Sequence, residues 1–227
     1  MAVTTLTTRR FPSRDALDTA LAERLGRALA AAGPSAIMLS GGTTPLPAYR
    51  ALASRPLAHD PGLRVLFSDD RYVPADSEKS NYHQSRALLD ALDLPAAAVL
   101  RVRTELPLEQ AAEDYARSLA ALIASGTRVG LGLLGLGADG HTASLFSAAD
   151  LERARGKLAI AVQRPDGMSG VSVTPQFLAR VAEPLFVVAG SGKAEALSRF
   201  SRQDPALTAW RAVQGCPSVE LWVCAGQ

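Results

Sequence analysis

Leu134-Gly135-Leu136-Gly137-Ala138-Asp139-Gly140-His141-Thr142-Ala143-Ser144-Leu145-Phe146 closes an apolar run and releases an aspartate and a histidine, two positions apart, from a cluster of glycines. The residues leading in, Val129 to Leu134, are apolar apart from two glycines, the pattern of a strand buried on both faces. Gly135, Gly137 and Gly140 open backbone conformations that a side chain forbids. Asp139 and His141 are therefore expected on a strand-to-helix loop, where open α/β sheets place their ligands. A plain glycine-rich turn with a capping Asp and a surface His shares these features, so the segment alone leaves its role open.

Outward from this stretch, strand and helix patterns alternate. Asp15 to Ala32 carries apolar residues at helical spacing and meets Gly33-Pro34, a common stop. Strands are expected at Ala36–Leu39, Leu63–Phe67, Pro184–Gly190 and Val219–Val223. Leu158–Val162 reads as a strand or as a piece of buried helix. Helices are expected over Leu46–Ala53, Tyr82–Leu89 capped by Ser80 or Asn81, Leu108–Ile123 and Lys193–Phe200. Strands separated by helices imply an α/β fold: one domain over residues 1–227, three layers, a mainly parallel sheet flanked by helices on both faces.

Composition excludes several classes. With 227 residues, 48% hydrophobic and 20% charged, the chain has enough apolar material for a full core. A net charge of +2, with no basic stripe, indicates no nucleic-acid partner. Met1 to Arg10 has no signal-peptide core and no run approaches the roughly 20 apolar residues of a membrane span, so no membrane partner and a cytoplasmic location are expected. Cys216 and Cys224 lack metal-ligand spacing and read as reduced packing residues; no metal is expected.

Two further segments carry chemistry. Ser40-Gly41-Gly42-Thr43-Thr44-Pro45 lies between a strand and a helix, and its glycines, hydroxyls and helix-start amides suit a phosphate. It is neither a Walker loop nor a dinucleotide fingerprint; an ordinary capped turn is the alternative. Lys193, opening a later helix, offers a second phosphate contact or is simply solvated. Ser68-Asp69-Asp70-Arg71 leaves a strand directly, and either one of its charges faces a ligand or Asp and Arg pair structurally. His59, in a turn, and His83, at a helix start, read as surface residues.

In this order, Ser-Gly-Gly-Thr-Thr-Pro, Asp-Asp-Arg-Tyr-Val-Pro with Ser-Asn-Tyr, and Gly-Leu-Gly-Ala-Asp-Gly-His-Thr-Ala-Ser-Leu-Phe resemble the glucosamine-6-phosphate isomerase/6-phosphogluconolactonase family, on its lactonase side. The likeness runs from about Leu39 to the end and includes Gly192-Lys193-Ala194-Glu195-Ala196. It implies a Rossmann-like fold as in glucosamine-6-phosphate deaminases, hydrolysis of 6-phosphoglucono-δ-lactone in the pentose phosphate pathway, and no cofactor. The partner implied is a small sugar-phosphate lactone, bound by a monomer or small homo-oligomer. By the same carry-over, His141 is the general base with Asp139 beside it. Gly41, Gly42, Thr43, Thr44 and Lys193 belong to the phosphate region, Asp69 to the substrate site, and Arg71 is an oxyanion or phosphate ligand. Ser144 reads as a cap or packing residue.

The chain departs from the family pattern at Ser68, where Gly is usual, and at Asp70, where Glu is usual. Gly170 stands where the family commonly has an arginine, so either an anion contact is missing or Arg164 supplies it from another loop position. Two rivals follow. A deaminase would continue its Asp-Gly-His motif toward Ala-Phe-Asn-Glu, whereas this chain has no acid until Asp150; a non-catalytic sugar-phosphate sensor of this fold type usually carries a DNA-binding segment, and none is expected before Leu39, where there is neither room nor charge for one.

Overall fold

The computed structural model describes residues 4–33 and 35–224. In chain order the elements begin with β1 (Thr5–Arg10), α1 (Arg14–Leu29), β2 (Ser35–Leu39), α2 (Leu46–Ala53), β3 (Arg64–Phe67) and β4 (Asp69–Arg71). They continue with α3 (Asn81–Gln84), α4 (Arg86–Leu92), β5 (Val99–Leu100), α5 (Leu108–Ala124), β6 (Arg128–Leu134) and α6 (Ala148–Arg153). The C-terminal third supplies β7 (Ala159–Gln163), β8 (Ser169–Val173), α7 (Pro175–Leu178), β9 (Val181–Ala189), α8 (Ala194–Ser201), α9 (Thr208–Val213) and β10 (Ser218–Cys224).

Seven strands form one sheet in the order β1-β10-β9-β6-β2-β3-β5, and every recorded pairing in it is parallel. Successive residues of β2 face opposite layers. Ile37 and Leu39 pack with Leu17, Leu21 and Leu25 of α1 and Leu52 of α2, while Ala36 and Met38 pack with Tyr115 and Leu119 of α5. Full burial of leucines such as Leu21 and Leu25 contributes roughly 2 kcal/mol each. The period breaks in β6, where the register against β2 shifts between Ala36 and Ile37. Val129 therefore joins one layer and Leu131, two residues later, the other.

The mainly parallel α/β sandwich expected from the sequence is present, with three corrections. First, Leu158–Val162 contributes a strand, but β7 belongs to a separate antiparallel sheet, β4-β8-β7, and not to the parallel one. Second, Asp69 to Arg71, expected as a cluster of charge at the C-terminal end of a strand, is itself strand β4 of that small sheet. Ser68 is the hinge between the sheets: its N–H donates to the Leu39 carbonyl of β2, 2.8 Å, and its carbonyl accepts from Val173 of β8, 2.9 Å. Third, Tyr82–Leu89 splits into α3 and α4 at Ser85, whose buried hydroxyl donates to the Asn81 carbonyl at 2.9 Å. Ser80 is the cap of α3, accepting from the His83 N–H. Helix α1 ends at Leu29, ahead of the expected stop, and Pro34 lies outside the described residues, as do Met1 to Val3 of the leading segment. Helix α8 starts at Ala194 because Ser191–Lys193 forms a 3-10 turn. Among the described residues no helix is long and apolar enough to cross a membrane.

Candidate active site

Strands β9, β6, β2 and β3 lie side by side; the loops leaving the first three carry Lys193, His141 and Gly41–Thr44, and beyond β3 the chain passes through Ser68 to Asp69 of β4. From β2 the chain steps to β3 on one side, and from β6 it steps to β9 on the other, so these loops converge where the winding reverses, the usual ligand crevice of such sheets. They enclose a cavity of about 340 Å³ lined by Ser40 to Pro45, Asp69, Arg71, Asn81, Leu133 to Gly137, His141, Ala143, Arg164, Val187 and Lys193. Of the catalytic and substrate-binding candidates, His141, Gly41 to Thr44, Asp69, Arg71 and Lys193 line it and Asp139 does not. His59 and His83 lie away from it.

The segment after β6 is folded tightly on itself. Gly137 N–H donates to the His141 carbonyl at 2.9 Å, Gly140 N–H to Gly137 O at 3.0 Å, and the Thr142 hydroxyl to Gly135 O at 2.9 Å. Asp139 stands behind His141, its Oδ1 accepting from the His141 N–H at 3.2 Å and lying 2.5 Å from Nδ1. That contact assigns the Nδ1 proton to the aspartate side and leaves the Nε2 lone pair as the ring's acceptor. Partial burial pushes the Asp139 carboxyl up, but the His141 ring, its charge and its N–H outweigh this and hold Asp139 below its ordinary value. Gly137 is required by close approach: a Cβ there would come within 2.1 Å of His141 Nδ1. Phe146 packs on the imidazole with ring centroids 4.4 Å apart. It is tied down because its N–H joins the capping box of α6, donating to Asp150 Oδ2 at 3.0 Å.

The loop after β2 is braced from outside. Buried Tyr49 of α2 donates to the Ser40 carbonyl at 2.8 Å, and Arg14 of α1 donates to the Thr44 carbonyl at 2.7 Å. The Gly42 amide is already engaged by Gln84 of α3, at 3.1 Å, so it is not the open anion donor the sequence suggested. Lys193 has no acidic partner among the described residues, and burial alone lowers its pKa.

Charge on the β3 side is organised by two buried aspartates. Asp70 accepts from Arg71 N–H at 2.8 Å and Asn81 N–H at 2.6 Å through Oδ1, and from the Ser80 hydroxyl at 3.0 Å and Tyr82 N–H at 3.2 Å through Oδ2. Burial still pushes its carboxyl up to about 6 despite these donors, with the neighbouring Asp69 charge adding to the rise. Asn81 donates to the Asp69 carbonyl and accepts from Arg71, which also donates to Lys79 O at 3.2 Å. Arg71 is thus anchored on one edge and turned toward the cavity.

Asp69 takes Ser68 Oγ on one oxygen at 2.8 Å and Ser144 Oγ on the other at 2.6 Å. Ser144 is a relay and not the cap or packing residue expected, since its hydroxyl also accepts from Arg164 Nη1 at 2.8 Å. The Arg164 side chain is only 10% exposed, lies 3.9 Å from Asp69 and stacks 5.2 Å above Phe146. It follows β7, whereas Gly170 lies on β8 facing it: a Cβ at 170 would meet the Asp70 carbonyl at 3.0 Å and Arg164 Cδ at 3.5 Å. Between the two positions weighed from the sequence, it is Arg164 that brings a guanidinium to the cavity.

Comparison with known proteins gives the chain's relatives. Residues 12–219 match the family described as glucosamine-6-phosphate isomerases/6-phosphogluconolactonase. A 6-phosphogluconolactonase of Synechocystis sp. is 38% identical over 183 residues, covering 78% of this chain and 75% of that one. The crystal structure of a 6-phosphogluconolactonase from Thermotoga maritima superposes with a TM-score of 0.80 at 29% identity, covering 97% and 99% of the two chains. A monomeric glucosamine-6-phosphate deaminase shares the fold, with a TM-score of 0.81 at 14% identity over 96% and 97%. The motifs, the crevice they build and the extent of these matches lead to one conclusion: the chain belongs to the glucosamine-6-phosphate isomerase/6-phosphogluconolactonase family.

Proposed function

We propose that this protein hydrolyses 6-phospho-D-glucono-1,5-lactone to 6-phospho-D-gluconate in the oxidative pentose phosphate pathway, with His141 activating the attacking water. The observation that carries the reading is the Asp139-backed imidazole on the wall of a cavity that also presents Arg71, Arg164 and Lys193. His141 Nε2 takes a proton from water as the water oxygen bonds to the lactone carbonyl carbon. The carbonyl oxygen gains negative charge, which the cationic side chains stabilise. When the intermediate collapses, the ring C–O bond breaks and the imidazolium returns its proton to the departing ring oxygen. Asp139 keeps the ring in the productive tautomer and stabilises it while charged. Phosphate is held by the Ser40–Thr44 loop with Lys193, whose charge is uncompensated by any acid among the described residues. The names of the relatives support the substrate, and the unaided reactivity of a lactone suits a single base.

The deaminase alternative needs an acid shortly after the Asp-Gly-His motif. Here the first is Asp150, which is committed to Ser147, the Phe146 N–H and Arg153 at the start of α6. A coupled assay on freshly prepared lactone, corrected for its own hydrolysis, should show acceleration. Glucosamine 6-phosphate should yield no ammonia above an enzyme-free control. The reverse pair of results would reassign the chain to deaminase chemistry, and failure of both with retained sugar-phosphate binding would make it a sensor.

Gly137→Ala tests the positioning of the imidazole separately. The added methyl collides with Nδ1 and Asp139 Oδ1, so kcat should fall at least tenfold while 6-phosphogluconate affinity changes little. A variant with native kcat would show that the ring relaxes freely.

A further inference from the structure

The fork of Arg164 is not empty. Asp166, two residues on in the turn between β7 and β8, accepts from Arg164 Nε at 3.2 Å and Nη2 at 3.1 Å, the two donors that a phosphate or carboxylate would take side by side. The remaining terminal nitrogen is held by Ser144. Asp166 is 43% exposed where its partner is 10% exposed, so the acid sits on the solvent side of a guanidinium fixed from beneath by Ser144, Asp69 and Phe146. Desolvation is the largest single influence and works to raise the Asp166 carboxyl, but the Arg164 bonds, the Met168 N–H and the charges of Arg164 and Arg71 together keep it below its ordinary value, so it is an anion at neutral pH.

We propose that Asp166 is a built-in competitor for Arg164, an internal anion that a substrate or product must displace, and that it sets the affinity of the site for sugar phosphates. The proposal rests on the reading of this cavity as a sugar-phosphate site. The geometry favours exchange over permanent pairing. The Asp166 carboxylate is 43% exposed and can turn into solvent, while the arginine beneath it has further contacts, to Ser144 and Phe146, that keep it aimed when the acid leaves. Weak anions would lose this competition and a dianionic phosphate would win it, giving the site discrimination against small monoanions.

Asp166→Asn is a clean probe because Oδ1 accepts the Met168 N–H at 3.1 Å, a bond that an amide oxygen keeps, so the turn is retained. The variant should bind 6-phosphogluconate about two- to fivefold more tightly by calorimetry and lower KM for the lactone by a similar factor. That gain should vanish when Arg164→Ala is added, since the two act on the same contact. Unchanged or weaker product binding in Asp166→Asn, or a gain that persists without Arg164, would overturn the proposal; a purely structural Asp166 would lower thermal stability without tightening KM. Absence of lactone hydrolysis by the wild-type enzyme would remove the functional reading while tighter 6-phosphogluconate binding still upheld the competitor.

Discussion

His141→Ala is expected to lower kcat for lactone hydrolysis by about 10²- to 10⁴-fold, the range for removing a positioned general base. The substitution deletes a ring that closes the Asp139 contact and covers Phe146, but the loop is also held by Gly137–His141, Gly140–Gly137 and Thr142–Gly135 bonds that involve backbone or other side chains. The variant should therefore fold, keep its thermal transition within a few degrees, and bind 6-phosphogluconate with near-native affinity. Loss of rate with retained binding separates chemistry from assembly. Turnover within about threefold of wild type would take His141 out of the mechanism.

The second large effect is expected at Asp70, and it falls on stability. Four donors converge on this carboxylate, from Arg71, Ser80, Asn81 and Tyr82, tying β4 to the start of α3. Asp70→Ala leaves them without an acceptor in a site only 2% exposed, at a cost of about 2–4 kcal/mol, and unseats Asn81 and with it Arg71. Denaturant unfolding measures this directly; a change below about 0.5 kcal/mol would show that the donors find other partners. The same residue gives a pH signature. Its folded pKa, near 6, lies above the ordinary 3.8, so between these values the native state holds a proton the unfolded chain has lost. Its contribution is fully present below about pH 4 and is lost as pH rises to about 6. Asp70→Asn should lack that slope, and an identical slope in both proteins would place the titration elsewhere.

The strands that build the crevice were readable because each is a short apolar run that stops at glycine or at charge: Ala36–Leu39, Leu63–Phe67, Val129–Leu134 and Pro184–Gly190. Their loops were readable for the same reason. Strand β1 was not, since Thr-Leu-Thr-Thr-Arg-Arg is almost wholly exposed and owes its conformation to pairing with β10 at the sheet edge. Strand β4 was hidden because its residues are Asp-Asp-Arg, charges that local propensity assigns to a turn and that only the β8 ladder makes extended. Ser144 was misread because its partners are Asp69, 75 positions away, and Arg164, 20 positions away; nothing in its neighbourhood signals either. Arg164 itself was visible as an alternative through the glycine at 170, and its burial and stacking on Phe146 emerge only once the β7–β8 hairpin closes.

The side-by-side order β9, β6, β2, β3 makes the sheet a ruler. Neighbouring strands stand about 4.8 Å apart, so the roots of the Lys193 loop and of Asp69 are separated by three rungs, about 14 Å, with the histidine loop one rung in from the lysine. Backbone hydrogen bonding fixes these increments, and no point substitution changes them. On such a frame the choice of ligand is set by the length and aim of the side chains at the graduations, as Arg164 reaches the cavity here from the turn after β7.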